Sequence, residues 1–212
     1  MSSVILSATL SAVLQLLVFA APPFLVYVIR RRTTRGFPVY VGLFRPVRRS
    51  LRPAVVAAAA IVPLLLLMEY LPGLREAALG PGTVAGNLRA LGPSSAAVYS
   101  LLLGAWVQTL LSEELLFRGF IGRRLVAWWG FQWGNVLQAL LFGSVHVALL
   151  LPAGGAALSP VVYVPAFAIP AAYGWILGWL KERGGNGSVL PCWCVHGLAN
   201  TIAWTVVALV GA

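Results

Sequence analysis

Residues 95–117, SAAVYSLLLGAWVQTLLSEELLF, stay uncharged from Ser95 to Ser112 and then carry two adjacent glutamates. A stretch of this length and character meets the roughly 20 apolar residues that a hydrocarbon core demands of a helix. Outward from it, comparable runs recur at about 4–29, 54–72, 134–151, 159–180 and 188–210. The expected fold class is therefore all-α, a polytopic membrane helix bundle with about six transmembrane helices. The first run has no basic residue before it and a basic block after it, so it reads as a retained span rather than a cleaved signal.

Composition agrees. The 212-residue chain is 60% hydrophobic and 9% charged, against about 25% charged in an ordinary soluble domain. Its formal charge of +10 would suggest nucleic acid in a soluble protein, but the basic residues sit in short runs between apolar stretches. That pattern excludes a nucleic-acid partner and points to membrane lipid. Cys192 and Cys194 form a C-x-C within an apolar run, which is neither a disulfide framework nor a zinc ribbon.

Eight arginines lie between Arg30 and Pro53, three more are Arg118, Arg123 and Arg124, and Lys181 and Arg183 follow the fifth run. Only Arg75 and Arg89 occupy the alternate connection. The positive-inside rule puts the three basic segments in the cytoplasm, with 73–94, 152–158 and both termini outside. Trp128, Trp129 and Trp133 are expected in the cytoplasmic interface belt, and the tract 30–53 as an irregular or interfacial segment held by anionic headgroups. Pro160, Pro165 and Pro170 predict a kinked or locally unwound fifth helix, and Gly174 and Gly178 permit close helix approach. The Gly- and Pro-rich 73–94 connection is expected to be the most mobile piece. The chain should sit as a multi-pass protein of the plasma membrane.

Polar residues inside apolar runs carry the functional signal. An acidic residue at mid-membrane costs about 2.5–3.5 kcal/mol on insertion scales, so Glu113 and Glu114 should face the bundle interior. Adjacent helical residues point about 100° apart, so the two cannot share one small cavity unless the helix is distorted. Arg118, four residues after Glu114, is placed for an ion pair with it, which leaves Glu113 free for chemistry. His146 and His196, the two histidines of the chain, lie in the fourth and sixth runs, and Asn200 falls on the same helical face as His196. Counting the helical rise from the cytoplasmic boundaries puts Glu113, His146 and His196 at similar depths of about 15 Å. The expectation is a polar cavity open to the cytoplasmic side.

A carboxylate withdrawn from bulk water can take a proton from a bound water, which suits Glu113 to general-base catalysis. Imidazoles can hold that water or donate to an oxyanion, and an asparagine amide is a fixed oxyanion donor. His146, His196 and Asn200 could fill these roles. Glu113, His146 and His196 could instead bind zinc, since three ligands and a water make an open catalytic site, although no H-E-x-x-H is present. A thiol mechanism through the stripe Cys192, His196 and Asn200 would leave Glu113 unexplained.

Taken together, Glu113-Glu114-Leu115-Leu116-Phe117-Arg118, Phe142-Gly143-Ser144-Val145-His146 and His196-Gly197-Leu198-Ala199-Asn200 resemble the E-E-x-x-x-R, F-x-x-x-H and H-x-x-x-N motifs of one family. That family is the CPBP intramembrane endopeptidases, which include type II CAAX prenyl proteases, bacteriocin-processing and immunity proteins, and lysostaphin-resistance-like proteins. Gly42-Leu43-Phe44-Arg45-Pro46 is similar to a basic stretch often upstream in such proteins. The resemblance covers about 95–205 and divides the chain into N-terminal transmembrane helices with a basic cytoplasmic loop, 1–94, and a catalytic membrane core, 95–212. It implies a peptidase acting on a membrane-associated peptide or protein, with Glu113 as base, His146 and His196 organising water and carbonyl, and Asn200 completing the oxyanion site. A metal-free mechanism without cofactor is favoured, with a zinc-dependent mechanism on the same residues and a non-catalytic immunity or binding protein as alternatives. Peptide-bond hydrolysis is carried over from the resemblance, CAAX specificity is not.

Overall fold

All six apolar runs are helical in the computed structural model, which describes residues 2–151 and 160–210, and no strand occurs among the described residues. In order, the helices are α1 (Ser2–Arg31), α2 (Phe37–Tyr40), α3 (Leu51–Tyr70), α4 (Leu74–Ala78), α5 (Val84–Leu91), α6 (Ser95–Leu103), α7 (Arg123–Leu150), α8 (Pro160–Trp179) and α9 (Leu190–Leu209). The expected outer connection 152–158 lies outside the described residues. Between α6 and α7 the chain stays helical but widens into two π-helical segments, Gly104–Leu111 and Glu114–Gly122.

Five helices are long and apolar enough to cross a membrane, and the third, Ser95–Leu150, is 56 residues long. A straight helix of that length would reach about 84 Å, well beyond a hydrocarbon core of about 30 Å. It folds back on itself instead. Gly130 has non-helical backbone angles (φ 74, ψ 170), and the two limbs then pair antiparallel. The rings of Phe117 and Phe142 meet edge to face at 4.9 Å, and a Cβ on Gly122 would lie 3.4 Å from Gln138 and one on Gly134 2.4 Å from Val126. Each pair is centred on Gly130, so the single helix crosses twice and the bundle makes six passes. Exposed Trp128, Trp129 and Trp133 crowd the turn.

The basic segments gather at one end of the bundle. Arg123 donates to the carbonyls of Tyr40, at 2.7 Å, and Val39. The amide of Val189 donates to Gly42 O at 2.9 Å, and the Ser188 hydroxyl to Phe44 O at 2.6 Å. Arg183 lies over the ring of Phe131, 4.7 Å from its centroid. The tract 30–53 is irregular apart from α2, the 3-10 turn Arg48–Ser50 and the helix ends that flank it, yet Val41 is buried and the carbonyl of Val41 rests so close to Gly119 that no side chain fits there. At the other end Arg75 donates to Val210 O at 2.7 Å.

Two expectations need amendment. The 73–94 connection contains α4 and α5, which bury Leu74, Ala85 and Leu88. Thr83 caps α5 by accepting from Gly86 N at 3.0 Å, so the connection is built from short helices rather than irregular coil. Likewise α8 passes through Pro165 and Pro170 without unwinding. α8 packs along α7 in the most extensive interface of the bundle. Asn135 Nδ2 donates to Trp175 O at 3.0 Å, and Gln138 Nε2 to Gly174 O at 2.8 Å. Gly174 and Gly178 allow the approach: a Cβ on Gly178 would stand 1.8 Å from Asn135 Oδ1.

Candidate active site

The two glutamates face different surroundings, as the roughly 100° step between adjacent helical residues requires. Glu114 is fully buried and its Oε1 stands 3.0 Å from His196 Nδ1 and 3.2 Å from Arg118 Nη1. A carboxylate only accepts, so Nδ1–H of His196 donates to it, which fixes the tautomer of the neutral ring. The Arg118 guanidinium also lies over the ring of Phe142, 4.1 Å from its centroid. This buried cation is thus balanced by one carboxylate and one aromatic face.

Glu113 occupies different surroundings. It lines a cavity of about 410 Å³ together with His146, Phe117, Phe142, Gln108 and, from α1, Gln15. Its Oε2 is buried without a hydrogen-bond partner. From the level of Glu113 the lining follows α1 up to Ser11 and the return limb to Leu149, toward the helix ends remote from the basic segments.

His146 is oriented from both sides. Its Nδ1 is 2.9 Å from Phe142 O, one turn back, and its Nε2 is 3.2 Å from the Tyr173 hydroxyl. A carbonyl accepts only, so in the neutral ring Nδ1 carries the proton and Tyr173 O–H donates to Nε2. Tyr173 is buried between the histidines, its ring centroid 5.3 Å from that of His196 and 6.2 Å from that of His146.

The motif spacings acquire physical content here. Phe142 serves His146 with its carbonyl and Arg118 with its ring. Gly197, beside His196, admits the indole of Trp106, since a Cβ would meet that ring at 2.8 Å, and Trp106 Nε1 donates to Thr201 at 3.2 Å. This contact holds the first π-helical segment against α9.

The sequence-derived residues therefore form two adjoining groups. Glu113 and His146 share the cavity, while His196 is bonded to Glu114 and Arg118. Asn200 is buried one turn beyond His196, and neither His196 nor Asn200 lines the cavity of Glu113. The common wet pocket for all four is thus replaced by a cavity backed by a buried polar cluster. Tyr173 was missed, although a tyrosine in mid-span between Pro170 and Gly174 was a visible signal. Among the described residues no three His, Cys, Asp or Glu side chains converge closely enough to hold a metal ion. Glu113, His146 and His196 as arranged do not fit a three-ligand zinc site.

Residues 95–202, half of the chain, match the family described as type II CAAX prenyl endopeptidase Rce1-like. The chain belongs to this Rce1-like family. It is accordingly a peptidase and an integral membrane protein, with an activity of the intramembrane CAAX-protease type. The Rce1-like match begins at α6 and ends within α9, so it contains Glu113, His146, His196 and Asn200, whereas α1 and α3 lie outside it. No curated protein and no solved structure matches the chain.

Proposed function

We propose that the protein is an intramembrane endopeptidase that hydrolyses a peptide bond of a membrane-associated substrate through a water activated by Glu113, without a metal. The observation that carries this is the buried carboxylate of Glu113, with an unpartnered oxygen, in the same cavity as His146. In the proposed reaction Glu113 takes a proton from a water in the cavity that it shares with His146. The hydroxide attacks the carbonyl carbon and the proton passes from Glu113 to the leaving amine, while donation from the Asn200 amide to the oxyanion requires the carbonyl oxygen to reach from the cavity into the polar cluster behind it. His196, oriented by Glu114, supports the carbonyl side.

Tyr173 positions His146 through Nε2, and the Phe142 carbonyl fixes the other nitrogen. With Nδ1–H donating to the Phe142 carbonyl and Nε2 accepting from Tyr173, the ring as arranged has no lone pair free for metal ligation. The core 95–212 would carry the chemistry, while 1–94 supplies α1 as one wall of the cavity. The prenylated CAAX substrates named for the family are one candidate class among membrane-tethered peptides.

The test is cleavage of a membrane-tethered reporter in cells. Glu113→Gln and His146→Ala should each abolish cleavage while the protein remains folded and inserted. Reporter cleavage that continues at the wild-type rate in both variants would overturn the proposal.

A further inference from the structure

A second buried carboxylate lies across His146 from Glu113. Glu69, on the last turn of α3, is 5% exposed and lines a cavity of about 310 Å³. The other walls are chiefly apolar and include Met68, Leu74, Leu150, Ala166 and Trp204. Among the described residues no hydrogen bond or ion pair to Glu69 occurs. The nearby Thr83 hydroxyl is committed to Ala78 O at 2.5 Å and Gly80 O at 2.8 Å. Arg75 is likewise directed to Val210 O.

A buried carboxylate without a donor is costly, since it can accept hydrogen bonds but has nothing to accept from. Such a group within a bundle is functional by default. What the cavity lacks is a donor carried on an apolar stem. A lysine or arginine side chain has that form, with methylenes that cover apolar walls and a cationic head.

The location ties this cavity to the proposed hydrolytic site. His146 and Leu149 line both cavities, so an extended peptide reacting at Glu113 could reach Glu69 within about one to three residues of the bond cut. The geometry points to the Glu69 cavity as a specificity subsite for a basic side chain of the peptide substrate. This inference rests on the peptidase reading for its biological meaning, but binding to the subsite does not require cleavage.

The test therefore uses the full-length Glu113→Gln protein in detergent and a set of fluorescent, lipid-tethered peptides. The peptides are identical except for one scanned position, which carries lysine, norleucine or glutamate. At one scanned position the lysine peptide should bind at least about tenfold more tightly than the norleucine peptide. Adding the isosteric Glu69→Gln change should erase that difference and leave norleucine binding unchanged, and Glu69→Lys should turn the preference toward glutamate. Equal binding of lysine and norleucine peptides at every position would overturn the inference, and so would a Glu69→Gln effect of equal size on both. Wild-type cleavage of the same peptides, measured in parallel, reports separately on the peptidase reading.

Discussion

His196 Nδ1 lies 3.0 Å from the Oε1 of Glu114, the second glutamate of the adjacent pair, and the first points into a cavity beside His146. Two neighbouring carboxylates are thereby given unlike tasks by local helix geometry. Glu114 neutralises a buried arginine and orients an imidazole through Oε1, whereas Glu113 faces the cavity; the Oε2 of each is buried without a hydrogen-bond partner.

Opposite effects of the two substitutions follow. Glu114→Ala leaves Arg118 buried beside an aromatic face alone and should destabilise the protein by about 3–5 kcal/mol, the usual cost of removing one partner of a buried ion pair. Glu113→Gln removes a carboxylate with little to lose and should keep or raise the melting temperature. Thermal unfolding of both variants in detergent checks this, and equal losses would contradict the division of roles.

Tyr173→Phe removes a side-chain hydrogen bond to His146 and leaves the packing of the ring intact. Supporting contacts of this kind are commonly worth about 10–100-fold in activity. The expected result is a fall of that size in kcat with KM and melting temperature near wild type. A change confined to KM would place Tyr173 in substrate binding instead.

Gly178→Ala should separate α7 from α8. The added methyl would meet Asn135 Oδ1, displacing an amide that donates to Trp175 O. Overpacking of this kind costs about 1–3 kcal/mol. A double-mutant cycle with Asn135→Ala should show coupling, because the smaller residue removes the clash. Additive losses would mean that the helices approach elsewhere.

The clustering of the basic segments at one end predicts orientation as well. Reporter tags inserted near Arg49 and near Arg183 should be cytoplasmic, and one in the 73–94 segment should lie on the other side. Opposite locations for the first two would break the six-pass arrangement.

Much of this fold was legible because apolar run length is set by the bilayer, and the bias of arginines between alternate connections carries the topology. The hairpin at Gly130 is a finer matter. Arg118, Arg123, Arg124 and the tryptophans that follow mark a connection there, but the continuation of helix through it up to the break at Gly130 emerged only in three dimensions. The ion pair of Glu114 and Arg118 could be read from i,i+4 spacing, and the close approach of α7 and α8 from Gly174 and Gly178. The partner of His196 could not, since it stands on another helix, beyond the reach of sequence spacing. Glu69 escaped notice for a tertiary reason. It stands alone near the end of the apolar run 54–72 with no polar residue at helical spacing to mark a site, and only the folding of α4 and α5 over it encloses it.

The central claim, hydrolysis by a water that Glu113 activates, is tested most directly with purified protein and a fluorogenic membrane peptide in the presence of a strong metal chelator. The account predicts unchanged turnover by the wild type under chelation and none by Glu113→Gln. Loss of wild-type turnover on chelation, restored by stoichiometric zinc, or persistent turnover by Glu113→Gln, would contradict it.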